Sequence, residues 1–201
     1  MIKLEDGEFL IELARKSIKK YLEEGEKPEP STDISEELTK KHGIFVTLRK
    51  NEELRGCIGR PLPTQSLVDG IIDSAISSAV GDPRFPNLQE NELKNTIIEI
   101  SVLTKPEIIE VESPKEYPEK IEVGKDGLIV ELHGSKGLLL PQVPVEQGWG
   151  AEEFLSNTCL KAHLNPDCWL KKDVKIKKFS GQIFVEKEPG GEIKERSISG
   201  D

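Results

Sequence analysis

The sequence predicts a chain that combines amphipathic helices with antiparallel strands. Apolar residues recur at helical spacing between Asp6 and Glu24, and two strand-forming runs, 44–49 and 54–59, are separated by a short polar break. Residues 105–120 hold three prolines among acids and lysines, which suggests a crossing between two lobes. With 201 residues, the chain can form one domain with an ample core or a domain that carries a small lobe.

The helices are indicated by apolar residues at intervals of three and four and by residues that favour helix ends. Ser66 is the expected N-cap of the second helix. Gly25 and Gly81 follow the first two helices, and we expect a left-handed cap at Gly81. Asn165-Pro166 closes the third helix. The predicted helices cover 6–24, 66–80 and 151–164.

The strands fall in two parts of the chain. The first part is a hairpin and then a long strand in which Ile98, Ile100 and Val102 share one face. The second part, after the proline-rich segment, consists of shorter strands with glycine-containing turns between them. Residues 188–201 contain few apolar side chains and are predicted to be a disordered tail. The predicted strands cover 44–49, 54–59, 96–104, 121–123, 128–132, 138–140, 174–178 and 182–185.

Charge and cysteine content limit the partners and the compartment. With 28 basic and 37 acidic side chains the formal net charge is −9, so there is no strong nucleic-acid signal and no attraction to an anionic membrane. No stretch approaches the length of a membrane span, and the N-terminus does not resemble a signal peptide. The three cysteines form an odd set without a CxxC motif, which favours a reduced, cytoplasmic compartment.

The stretch Leu54-Arg-Gly-Cys-Ile-Gly59 packs glycines, a cation and a thiol into six residues. In an extended strand, Leu54 and Ile58 would face the core while Arg55 and Cys57 would share the other face. A fixed positive charge near a thiol favours the thiolate, which is the form that a nucleophilic cysteine needs. The sequence therefore offers Arg55 and Cys57 as parts of one site.

Two alternatives stand beside this interpretation. Gly56 and Gly59 would let a ligand or another backbone approach closely, yet a cysteine in a strand is also an ordinary core residue. Arg55 could equally be a buried structural cation that is pinned by a carboxylate such as Glu99. On this alternative, Arg55→Ala would be as destabilising as the core substitution Leu54→Ala.

Other candidates lie further along the chain. Two prolines fix the loop 82–86, which can present Arg84 and Phe85 at a defined place or form a surface turn with the ring in the core. Cys159 and His163 are four residues apart on a predicted helix, so they could form a nucleophile and base or half of a metal site. A buried cysteine with a histidine at the frayed end of the helix is the simpler interpretation. Glu146 could be a general base or a helix-entry acid. We predict no metal site and no cofactor.

With these motifs in hand, the chain resembles the AMMECR family from about Glu8 to Val185. The six-residue motif is the specific hallmark of that family. The close agreement of the remaining blocks with the archaeal form suggests an archaeal protein. These blocks are Ser78–Pro86, Glu99–Thr104, Val123–Ile129, Leu140–Val143, Glu146–Trp149 and Thr158–Ala162.

The resemblance implies an α+β fold, in which a larger lobe has a mostly antiparallel sheet flanked by helices and a second, smaller lobe leaves a cleft near the hallmark motif. It implies a single domain of two lobes over 1–187. It does not imply a known reaction, although the domain occurs beside or fused to MEMO-like and radical-SAM proteins, which are possible partners by analogy. The family commonly has Gly at the position of His163. The implied site residues are Arg55, Gly56, Cys57, Gly59, Arg84, Phe85, Glu146, Trp149 and Cys159.

Two functions of different class remain open. In the first, the cleft binds a ligand or peptide, and Arg55, Arg84 and Trp149 are recognition residues. In the second, the protein is an enzyme that uses Cys57 as a nucleophile and Glu146 as an acid–base on a small or nucleotide-like anionic substrate. We also predict that Cys57, Glu146 and Cys159 line one shared cleft. The first is preferred because no base stands at a fixed spacing from the thiol.

Overall fold

The computed structural model describes residues 2–30 and 34–196, and these divide into two compact units. The larger unit holds the chain up to Leu103 together with Gln182–Arg196, and the smaller unit holds Thr104–Gly181. The helices are α1 Leu4–Glu24, α2 Glu36–Thr39, α3 Leu67–Val80, α4 Glu90–Leu93, α5 Gln142–Gln147 and α6 Ala151–Lys161, with short 3₁₀ helices at Pro114–Lys120 and Cys168–Leu170. The strands are β1 Gly43–Lys50, β2 Glu53–Arg60, β3 Ile97–Leu103, β4 Glu107–Ile108, β5 Gly127–Leu132, β6 Ser135–Leu139, β7 Lys175–Phe179, β8 Gly181–Glu186 and β9 Ile193–Arg196.

The larger unit is a five-stranded sheet in the order β2-β1-β3-β8-β9, with helices against one face. Strand β1 is antiparallel to both β2 and β3, and β8 is antiparallel to β9. Alternation along β1 places Val46 and Leu48 in the core with Ile71 of α3 and Leu10 of α1. The opposite face of β1 carries Thr47, so this sheet has one apolar and one polar face.

The smaller unit has its own sheet and its own core. Its strands lie in the order β4-β7-β5-β6, and each neighbouring pair is antiparallel. Gly137 of β6 lies against the end of α6, where a side chain would meet the backbone at Thr158 and Ala162. Phe154 and Trp169 pack in the core of this unit. The two units together confirm the predicted α+β class with antiparallel sheets.

Helix α3 begins where the sequence predicts, but it ends in a different way. The Ser66 side chain accepts a hydrogen bond from the Asp69 backbone N–H at 3.2 Å, as expected of an N-cap. Gly81 has φ −120°, so the expected left-handed cap is wrong. The chain is instead turned by Asp82, whose carboxylate accepts the Arg84 backbone N–H at 3.1 Å. An Asp side chain that fixes a turn in this way removes the need for a left-handed glycine.

Other segments also differ from the prediction, among them α4 and β4, which were not predicted. Residues 121–123 are not a strand, because the Asp126 carboxylate accepts the Glu122 backbone N–H at 2.9 Å and closes a turn. Helix α5 was not predicted, since Pro141 just before it and Pro144 within it suggested only the end of the preceding strand. The predicted tail is wrong for residues 188–196, where a turn with Gly190 at φ +70° leads into β9. Residues 197–201 lie outside the described residues. No helix within 2–30 and 34–196 is long and apolar enough to cross a membrane.

Candidate functional site

Strand β2 contains an irregularity at Arg55 that decides which side chains reach the polar face. Gly56 lies opposite Leu48, but Leu54 rather than Arg55 lies opposite Arg49, so the pairing shifts by one residue. A bulge of this kind reverses the alternation on one side of it. Leu54 therefore shares the polar face with Cys57, and the expectation that Leu54 and Ile58 face the core together is wrong.

Arg55 is held inside the larger unit by a carboxylate and a carbonyl. Its Nη2 lies 3.1 Å from Glu92 Oε2, its Nη1 donates to the Pro86 carbonyl at 2.9 Å, and its side chain is only 13% exposed. Arg55, and then Lys50 at 2.8 Å, lower the pKa of Glu92 to about 2. The structural-cation alternative thus describes the observed contacts, with Glu92 in place of the expected Glu99.

The two glycines of the motif are required by packing. Gly56 is buried against α3, where a side chain would collide with the backbone carbonyl of Ser78. Gly59 is covered by the ring of Phe45 and by the Ile44 carbonyl. The close approach expected at these positions is therefore made by the protein itself. A binding role for either glycine stays a prediction.

Asp82 ties the loop after α3 to the backbone of Cys57. Its buried carboxylate accepts the Cys57 N–H at 2.8 Å and binds the Arg84 guanidinium through Nε at 2.9 Å and Nη2 at 2.7 Å. Arg84 Nη2 also donates to the Cys57 carbonyl at 3.2 Å. Because β2 is an edge strand, this pair satisfies both backbone groups of Cys57 as a neighbouring strand would.

Electrostatics fix the charge states of this pair. Hydrogen bonds from Arg84, followed by those from the backbone, hold the pKa of Asp82 far below its usual range despite burial. The Asp82 carboxylate raises the pKa of Arg84, and the nearby Cys57 side chain adds to this effect. The Arg84 side chain is 54% exposed while that of Asp82 is 2% exposed, so the pair turns its positive end towards solvent. The ring of Phe85 lies below that end, with its centroid 5.5 Å from the guanidinium carbon.

The Cys57 thiol lies in a row of polar side chains that crosses the sheet. It is half-buried and free, and the Thr47 hydroxyl donates to its sulfur at 3.3 Å. Thr47 is paired across the sheet with Cys57 on one side and with Glu99 on the other. Glu99 is buried and lies 3.1 Å from a guanidinium nitrogen of Arg196. The thiol is thus flanked by the Thr47 hydroxyl and the Arg84 guanidinium, and the Glu99 carboxylate lies beyond the hydroxyl.

The smaller unit holds the remaining candidates. Glu146 is exposed on α5, and Trp149 is half-buried just after that helix. Cys159 is fully buried and forms a disulfide with Cys168, so it cannot contact a ligand, and its proposed binding role is wrong. The reduced compartment that the cysteine set suggests stays a prediction, although two of the three cysteines are paired. His163 lies beyond the end of α6, exposed and at φ 59°.

These placements divide the predicted site between the two units. Arg55, Cys57 and Arg84 belong to the larger unit, whereas Glu146 and Trp149 belong to the smaller one. That Cys57 and Glu146 line a shared cleft stays a prediction. Across the part of the chain that the structure describes, no group of three or more His, Cys, Asp or Glu side chains is arranged to hold a metal ion.

Three residues of the site, Thr47, Asp82 and Glu92, are not among those predicted from the sequence. Thr47 could have been found, because it is the polar residue of an alternating strand. Asp82 could also have been found, since an Asp two residues before Arg84 commonly binds the backbone of its own turn. The contact of Glu92 with Arg55 depends on tertiary packing and has no local signal.

Comparisons with known proteins place this chain in a wider group. A sequence model of the AMMECR1 family matches residues 11–184. The chain is 52% identical to a protein of Pyrococcus abyssi, with 98% of each chain covered, and 52% identical to one of Methanopyrus kandleri, covering 98% and 96%. It is similar to the crystal structure of the uncharacterised protein PH0010 from Pyrococcus horikoshii, with a TM-score of 0.88 and 53% identity over 95% and 96% of the two chains.

Proposed function

This chain belongs to the AMMECR1 family, and on that premise we propose that it binds a ligand or peptide through a negatively charged group that Arg84 holds beside Cys57. The observation that carries the proposal is the clamp formed by Asp82, Arg84 and the Cys57 backbone. This clamp fixes a guanidinium next to a half-exposed thiol before any ligand arrives, so little ordering is needed on binding.

The geometry favours an anion. Asp82 uses Nε and Nη2 of Arg84, while Nη1 has no hydrogen-bond partner among the described residues. Nη2 also donates to the Cys57 carbonyl, so the donors left for a ligand are the two N–H groups of Nη1, and charged N–H groups bind carboxylate or phosphate oxygens well. The Thr47 hydroxyl fixes the thiol near this guanidinium, so a bound anion would lie against the sulfur.

Arg55 and Trp149 have different parts in this proposal. Arg55 holds the Pro86 carbonyl and so supports the loop that carries Arg84, rather than binding the ligand itself. Trp149 is half-buried in the smaller unit and is proposed as a second recognition residue, since a partly exposed indole can stack on a ligand or peptide group.

The charge preference of Cys57 alkylation tests the proposal. Cys159 and Cys168 are paired, so the native protein offers one thiol, and its alkylation rate can be followed by mass. We expect the ratio of the iodoacetate rate to the iodoacetamide rate to be higher for Cys57 than for a small free thiol, because Arg84 attracts the carboxylate of iodoacetate. A unit charge at about 4 Å in water is worth about 1 kcal/mol, so Arg84→Gln should lower the rate ratio about fivefold.

Arg60→Gln is the matched control. Arg60 lies on the same strand, and its half-exposed side chain is paired with Asp73 at 3.5 Å, so its removal should leave the ratio unchanged. A wild-type ratio equal to that of a free thiol would contradict anion binding at this place. If Arg84→Gln and Arg60→Gln lowered the rate ratio equally, the preference for iodoacetate would come from the general surface charge and not from Arg84.

The enzyme remains the second candidate because of one observation, the hydroxyl of Thr47 that donates to the Cys57 sulfur. In that case Cys57 is the nucleophile, and Glu146 of the smaller unit is the acid–base. The alkylation rates described above, measured across pH, address this candidate. A thiol that responds to pH as an ordinary cysteine does would count against the nucleophile.

A further inference from the structure

Leu54 is an exposed apolar side chain beside the candidate site. It is 36% exposed and immediately precedes the bulge in β2. Strand alternation alone would have turned Leu54 away from Cys57, since the two are three residues apart. The bulge instead puts both on the polar face, opposite Arg49 and Thr47 respectively.

The register gives the spacing between these side chains. Arg49 and Thr47 are two residues apart on β1, which corresponds to about 7 Å along a strand. Their partners Leu54 and Cys57 are therefore about 7 Å apart, so a group that touches the sulfur can reach the leucine with a few methylenes. Ile97, half-buried, lies on the far side of Arg49 in the same row, so Leu54 is the apolar side chain of this row on the strand of the thiol.

The bulge is held by specific contacts rather than left loose. The extra residue, Arg55, is fixed by Glu92 and by the Pro86 carbonyl. Gly56 must face α3 because only a glycine fits against the Ser78 carbonyl. These two restraints on either side of the shift hold Leu54 on the face of the thiol. Bulges near binding sites commonly re-aim a side chain in this way.

We propose that Leu54 is a specificity-determining residue of the Cys57 site, and that the ligand is a small anion with an apolar group next to its charge. The proposal rests on the proposed function, since it places the anionic group at Arg84. The apolar group then lies along β2 over Leu54, with the sulfur of Cys57 between the two contacts. A small hydrophilic anion such as inorganic phosphate would use only half of this surface.

A series of N-alkylmaleimides measures the apolar contact directly. These neutral reagents react with the single free thiol, and their chains lengthen from methyl to hexyl without a change in the reacting group. Full burial of a methylene should raise the reaction rate roughly fourfold. Partial burial against an exposed leucine should therefore raise the rate about twofold per added methylene. The rates are divided by those of a small free thiol to remove the intrinsic effect of chain length.

Three variants define the contribution of Leu54. Leu54→Ala should flatten the dependence on chain length, and Leu54→Met should retain it, because methionine keeps a flexible apolar side chain of similar size. Leu4→Ala is the matched control, since Leu4 is also an exposed leucine of the larger unit but lies on α1, which packs on the opposite face of the sheet. Slopes are compared rather than absolute rates, so a general change in thiol accessibility cancels.

The outcomes separate this inference from the proposed function. A slope in the wild type that is lost in Leu54→Ala and kept in Leu54→Met and Leu4→Ala supports the inference. A flat wild-type series, or a slope that survives in Leu54→Ala, overturns it. The ratio of iodoacetate to iodoacetamide rates depends on Arg84 and not on chain length. A normal charge preference with a flat maleimide series would therefore reject Leu54 while anion binding stands.

Discussion

The Arg55 guanidinium binds the Glu92 carboxylate and the Pro86 carbonyl, with little of its side chain in contact with solvent. Its removal would leave Glu92 with Lys50 as a remaining partner, and would leave the Pro86 carbonyl without its donor. Arg55 thus links β2 to α4 and to the loop that carries Arg84. At the scale of single residues, this is the contact on which the shape of the site depends.

We expect Arg55→Ala to destabilise the protein more than Leu54→Ala. Loss of hydrogen bonds to a charged, partly buried group should cost about 2 kcal/mol of unfolding free energy. Leu54→Ala should cost less than about 1 kcal/mol, because Leu54 is already exposed and leaves no cavity. Chemical denaturation of the two variants and the wild type measures both values. A larger loss in Leu54→Ala would mean that Leu54 is buried and the bulge is absent.

The pKa of Glu92 predicts a pH dependence of stability. Arg55 and Lys50 lower this pKa from 4.5 to about 2 in the folded protein. The contribution of Glu92 to stability is therefore present above pH 4.5 and is lost as pH falls through the interval from 4.5 to 2. Glu92→Gln should be less stable than the wild type at neutral pH, and the difference should shrink through this interval. Unfolding free energies of both proteins from pH 7 to 2 measure it, and a constant difference would contradict the ion pair.

Much of this residue-scale picture could be inferred from the sequence, and part of it could not. The grouping of a thiol with nearby arginines follows from the motif and the proline-bounded loop. The partner of Arg55 does not follow, because Glu92 is 37 residues away and is one of many acids. The direction of Leu54 also does not follow, since one unpaired residue in β2 reverses a pattern that a regular strand would obey.

At the scale of elements, α6 and the 3₁₀ helix that begins at Cys168 are joined by the disulfide from Cys159. The bond lies in the core of the smaller unit next to Phe154 and Trp169. The sequence offered three cysteines and no means of choosing a pair, because pairing depends on which helices meet. The positions of the strands were easier to infer, since their apolar alternation is local.

We expect thiol counts to reveal this bond. With a thiol reagent, the unreduced protein should show one thiol in denaturant, and the denatured protein after reduction should show three. The Cys159→Ala/Cys168→Ala double variant should lose about 3 kcal/mol of stability, as expected when a loop of about ten residues is no longer closed. Three thiols in the unreduced, denatured protein would contradict the disulfide.

At the scale of the whole molecule, the α+β class could be predicted from the sequence because helical and strand periodicities are both strong. The division into two units was suggested by the prolines near 105–120 and by the family resemblance, but the limits of the units were not predicted. The last strand, β9, was missed because Ile193 is its single apolar residue. It forms nonetheless because a turn brings it back onto β8, which is a tertiary cause.

The smaller unit interrupts the sheet of the larger one. Strands β3 and β8 are neighbours in that sheet, yet Thr104–Gly181 lies between them in the chain, and the Thr104 backbone N–H donates to the Ser180 carbonyl at 2.8 Å where the chain leaves and returns. Residues are synthesised in order from the N-terminus. Strand β3 of the nascent larger unit therefore lacks its neighbour β8 until about eighty more residues have been made. Newly synthesised chains are therefore most exposed to wrong strand pairing during this interval.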